Sequence, residues 1–267
     1  MEGAEKYLNH EIWFEWEERG RLGEEHIIFL KYGHRMDVDG RAESCKLRNI
    51  KVIDPEGKEQ NADLYLRPGM RDAYIVSFIP HRDGLHVLTA EYEGGVFTKT
   101  KDGRIYLKGQ KGIEKPRDVE RSFYSYQYCK AIVPVGEISD MHKEPLGHEL
   151  EIIVTNPRIF HEGEEVELKV LYDGKPIEVP VSVIRKGEGR ERMKLETSKD
   201  GTSLKLEEGL WMLLVKYIDK EKRAEEYMEK ALTANLILSV EGGRSVSYTH
   251  LRAHETRHDL VCRLLLE

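Results

Sequence analysis

Apolar and polar residues alternate with a period of two along much of the chain. Val166, Leu168 and Val170 interleave with Glu165, Glu167 and Lys169, and Leu232, Ala234, Leu236, Leu238 and Val240 repeat the pattern. Alternation sends one set of side chains to a core and the other to water, as in a half-buried strand. Turn signals break the pattern at short intervals. Asp54-Pro55-Glu56-Gly57 suits a type I turn, and Asp-Gly pairs stand at 39–40, 83–84, 102–103, 173–174 and 200–201. Such pairs favour the positive φ that tight hairpins require.

This punctuation predicts strands near 11–16, 26–33, 46–53, 61–66, 73–79, 86–92 and 122–133. A second series is predicted near 149–154, 165–172, 179–185, 203–207, 210–217 and 230–240. The charged stretch Tyr217 to Lys230 reads as a short helix or a long hairpin arm. Alternation lapses between Gly136 and Gly147, flanked and broken by Pro134 and Pro145, which marks a boundary. The expectation is an all-β chain of two sandwich domains in tandem, 5–136 and 147–241. No internal repeat is visible.

Composition narrows the function. The 267 residues carry a formal net charge of -7, and an acidic surface repels phosphate backbones, so nucleic acid is not an expected partner. No apolar run approaches the length of a membrane span. Cys45, Cys129 and Cys262 lack metal-ligand spacing, and whether Cys45 and Cys129 bridge stays open. No nucleophile elbow, phosphate loop or dinucleotide fingerprint occurs in residues 1–244, so the chain reads as non-enzymatic.

One motif argues otherwise. His254-Glu255-Thr256-Arg257-His258 has the H-E-x-x-H spacing of a zinc protease helix. Only nine residues follow it, with Asp259 and Glu267 as the sole carboxylates for a third ligand. From about Ser245 the chain, SVSYTHLRAHETRHDLVCRLLLE, resembles translated sequencing-library adapter. Residues 245–267 are therefore read as a non-native tail, and its motif as an accident.

Histidines are the remaining candidates for chemistry. His10 opens His10-Glu-Ile-Trp-Phe-Glu-Trp16, His34 follows an apolar strand, and His81 and His86 flank the Arg82-Asp83-Gly84 turn. A lone histidine is more often a surface or turn residue. Several converging from strand ends would suit nickel, cobalt, zinc or copper. The four form the candidate metal set. Asp37-Val38-Asp39-Gly40 reads as a turn rather than a calcium loop, and Trp13, Phe14 and Trp16 as packing residues.

Four stretches resemble a known family. They are His10-Glu-Ile-Trp13 with Gly33-His34; Cys129-Lys-Ala-Ile-Val-Pro-Val-Gly136; Gly147 to Ile152 with Asn156-Pro157 and Gly163 to Pro176; and Asp200-Gly201 with Gly209-Leu-Trp-Met-Leu213. The likeness is to the periplasmic component of cobalt/nickel uptake systems. It implies two immunoglobulin-like sandwiches, a periplasmic or cell-surface location, and a transition metal passed to a membrane permease. It singles out His10 and His34. Family members carry a leader cleaved near that first histidine, and Met1 to Asn9 has no apolar leader core. A structural or adhesive surface module is the alternative reading.

Overall fold

The computed structural model describes residues 10–108 and 116–243. No α-helix occurs among them, so none is long and apolar enough to cross a membrane. The adapter-like tail and its H-E-x-x-H motif lie outside the described residues, as do residues 5–9 of the first expected domain.

The first half contains β1 (Glu11–Glu15), β2 (His26–His34), β3 (Asp37–Gly40), β4 (Leu47–Ile53), β5 (Glu59–Gln60), β6 (Asp63–Tyr65), β7 (Ala73–Phe78), β8 (Gly84–Thr100), β9 (Ile105–Leu107) and β10 (Val119–Val135). The second contains β11 (Leu150–Val154), β12 (Phe160–His161), β13 (Glu165–Tyr172), β14 (Lys175–Pro176), β15 (Pro180–Arg185), β16 (Glu191–Glu196), β17 (Thr202–Lys205), β18 (Gly209–Asp219) and β19 (Glu229–Glu241). The chain is all-β, as its alternation requires.

Each half is a sandwich with immunoglobulin-like strand order. In the first, β1-β2-β7-β6 faces β10-β8-β4-β5; in the second, β11-β13 with β17 faces β16-β15-β18-β19. Both halves also cross between sheets alike: Gly20 bridges Val135 in parallel, and β12 pairs in parallel with β19.

The two halves share a sheet. β10 pairs in parallel with β19 from Phe123↔Glu229 to Ile132↔Leu238, which joins two four-stranded faces into one sheet, ten-stranded with β9 on β8 and β12 on β19. One face of that sheet, with Cys129, Ala131, Val133, Met212, Leu214 and Ile237, packs under β1, β2 and β7. The opposite face, with Ile132, Val183, Trp211, Leu213, Leu236 and Leu238, packs against β11 and β13. The boundary drawn at 136–147 falls in the connection from β10 to β11, so each half folds back onto a common wall.

Several local expectations are corrected. Of the two readings of Tyr217 to Lys230 the hairpin arm holds and the helix does not: β18 runs on to Asp219, and a turn with an Ala224–Tyr227 bridge leads into β19. β8 and β10 reach 17 residues each, longer than their alternation suggested, because parts of both are buried on both faces. Asp39 and Gly40 sit in β3 rather than in a turn. The bend lies earlier, at Arg35 and Met36, both with positive φ.

Candidate metal centre

His10, His34 and Asp39 meet where β1 begins and the β2–β3 hairpin turns. Antiparallel pairing sets Glu11 opposite Gly33, so the residue before β1 comes beside the last residue of β2. A bulge in the β2–β3 register and the tight bend carry Asp39 back over both. Gly33 makes that bend feasible. A side-chain carbon there would stand 2.0 Å from the Asp37 carbonyl oxygen, so only glycine permits the approach.

The geometry is close. His34 Nδ1 lies 2.5 Å from Asp39 Oδ2, and His10 Nε2 lies 3.3 Å from the same oxygen. The two imidazole centroids are 4.1 Å apart, and the His10 ring stacks on Tyr32 at 4.7 Å. The three residues each offer one ligand atom, all within 4.8 Å of one another. His10 is only 5% exposed, while Asp39 faces solvent. Glu11, 2% exposed, accepts the Arg35 backbone N–H at 3.2 Å and pairs with Lys216 Nζ at 3.0 Å. A cleft of about 580 Å³ opens beside His34 and Asp39, with β15, β16 and β18 residues such as Ser182, Glu191 and Lys216 along its other side.

The four histidines singled out from sequence separate. His10 and His34 come together. His81 is exposed in the loop before β8. His86 is fully buried at the start of β8, its Nδ1 3.4 Å from the Gly84 carbonyl oxygen. Its neighbour is His26: both rings pack on Phe78, at 5.5 and 5.8 Å. His26 opens β2 and His34 ends it, so this pair sits at the other end of the strand from the candidate centre. Proximity to the Arg82–Gly84 turn in sequence did not bring His81 or His86 to His10.

Sequence reasoning missed Asp39, whose Asp-Gly pair resembles a turn, and two amides behind His10. Gln127 Nε2 donates to the His10 carbonyl at 2.7 Å, and its Oε1 accepts the Ile12 N–H at 3.3 Å. Asn235 Nδ2 donates to the Ile12 carbonyl at 2.8 Å. A polar residue inside a run buried on both faces was the available signal.

A family profile described as a domain of unknown function, DUF4198, matches residues 9–219. The chain belongs to this family. The DUF4198 description assigns no activity, so any chemistry must be argued from the residues. No curated protein matches the chain. The Clostridium thermocellum CbhA fibronectin(III)-like modules are similar at 14% identity over 91% of this chain and 96% of that one, with a TM-score of 0.23. The architecture described above stands on the strand pairing itself, not on that likeness.

Two imidazoles and one carboxylate on a hairpin end form a donor set suited to late transition metals, and three protein ligands leave positions for water or a further ligand. The residues present fit such an ion. Cys45 is exposed and Cys129 buried, both free, and neither joins the cluster.

Proposed function

We propose that the chain is a non-enzymatic metal-binding accessory protein that holds nickel or cobalt, with zinc or copper as competitors, through His10, His34 and Asp39. In the fuller form of this reading it acts outside the cytoplasm and passes the ion to a membrane permease. The supporting observation is the convergence of three ligand atoms within 4.8 Å on a rigid strand-end scaffold. Neutral imidazoles select such ions over magnesium or calcium.

Calorimetry with nickel and cobalt at neutral pH tests the reading. One saturable site is expected, lost or weakened at least about tenfold in His34→Ala and Asp39→Asn, with unchanged circular dichroism. Binding should weaken on acidification, because the ligands must be deprotonated.

One observation favours a second reading. Asp39 lies within reach of both imidazoles, so the cluster can satisfy itself by hydrogen bonding with no ion. A chain that gives no saturable heat with any of the four metals is then a structural or adhesive surface module.

A further inference from the structure

The buried amides behind His10 call for an explanation, because they are costly where they stand. Gln127 is 6% exposed and Asn235 2% exposed, on a sheet face otherwise built from Cys129, Ala131, Val133 and Ile237. An amide placed in such a face costs free energy unless it is hydrogen-bonded, and an apolar side chain would pack there as well. Each donates to a carbonyl on the same edge of the chain at the start of β1, Gln127 to that of His10 and Asn235 to that of Ile12.

β1 needs this. It is the outermost strand of its sheet, with β2 as its only strand partner among the described residues. Its free edge would leave main-chain groups orphaned against an apolar wall. The two amides act in place of a neighbouring strand. They also fix the register, and register decides where His10 goes. A slip of one residue along β1 would move His10 about 3.3 Å and turn its side chain to the other face. Either displacement exceeds what a metal site tolerates.

The amides come from both halves. Gln127 lies on β10 and Asn235 on β19, two steps apart along the parallel seam and on one face of it, where Gln127 pairs with Thr233 and Cys129 with Asn235. We infer that Gln127 and Asn235 are positioning residues for the His10–His34–Asp39 centre, and that they couple ion binding on the first half to the seam with the second. This rests on the metal reading above. The coupling is reciprocal: an ion that fixes His10 tightens the seam, and a loosened seam releases the ion.

The test uses the full chain with nickel(II) by calorimetry and cobalt(II) by visible absorption. Gln127→Met keeps length and volume but removes both hydrogen bonds, and Asn235→Leu removes the other. Each should raise the nickel Kd by about 10- to 100-fold, the usual range for partners that orient a ligand. The cobalt ligand-field bands should shift as His10 detaches. Val183→Ala, a core truncation on the opposite face of the same sheet, supplies a destabilised control that should keep the wild-type Kd and bands. Wild-type Kd and bands in both amide variants would overturn the inference. Should the amide variants not fold, amide hydrogen exchange on the wild-type chain decides: nickel must slow exchange at Ile12, whose N–H is held by Gln127, and along β19 around Asn235. Unchanged exchange there, with nickel bound, would refute the coupling. If the wild-type chain binds no metal, it is the metal reading that fails.

Discussion

His26 and His86 are buried imidazoles whose Nε2 atoms have no hydrogen-bond partner among the described residues. Burial, reinforced by His86, pushes the His26 pKa down from 6.5 to about 4, and burial also lowers that of His86 against the opposing Gly84 carbonyl, Asp54 and Asp83. The unfolded chain therefore takes up these protons first. The stabilisation is complete above about pH 6.5, and is lost as pH falls towards 4, by at most about 3 kcal/mol for His26. Urea midpoints should drop between pH 7 and pH 4.5, and His26→Phe, which packs but does not titrate, should flatten that drop. An equal drop in the variant would assign it to groups other than His26, His86 among them. Lys130 and Glu151 form a second buried pair, 2.8 Å apart and 8% and 1% exposed. Lys130→Met alone leaves Glu151 uncompensated and should cost about 3–5 kcal/mol in chemical denaturation. Adding Glu151→Leu should recover only part, since Glu151 also accepts the Leu146 and Gly147 N–H groups.

At the scale of elements, the β2–β3 hairpin carries the candidate centre and depends on Gly33. Gly33→Ala should lower stability by more than about 2 kcal/mol and displace Asp39, read as a fall in melting temperature with loss of nickel binding. A variant that melts and binds like wild type would show that the bend tolerates a methyl group. Little of this hairpin was legible in sequence. Its bend uses Arg35 and Met36 at positive φ, residues that carry no turn signal, while the Asp39-Gly40 pair that does carry one lies in a strand. Strands such as β13 were legible because one face is wet and the other dry, which writes a period of two. β10 was harder, since from Gln127 to Val135 it is buried on both faces and the period vanishes. His10 and His34, singled out as residues at strand ends, do come together. Their separation from His86 was not legible, because which strand ends share a pole follows from sheet order and not from distance along the chain. The equal strand order of the two halves also escaped, since pairing reads polarity patterns and tolerates wide changes of residue identity.

The whole molecule is a three-layer stack whose middle sheet is common property. A fragment of residues 148–241 would bare Ile184, Met212, Leu214 and Ile237, all of which the first half covers. It should bind a hydrophobic dye and associate, where the intact chain stays monodisperse by light scattering; a soluble fragment with native melting would contradict that. Cleavage after exposed Lys143, in the β10–β11 connection, should leave two pieces that co-elute until urea separates them. Elution as separate pieces without denaturant would mean that the seam is weak. The seam also sets a timetable. Its partners stand about 100 residues apart, as in the 106 between Ser122 and Met228, so a ribosome adding about 5–20 residues per second finishes β10 some 5–20 s before β19 exists. For that interval the nascent first half displays a long unpaired strand edge. A cell making this protein must shield that edge, or lose chains to edge-to-edge pairing between neighbours on the same message.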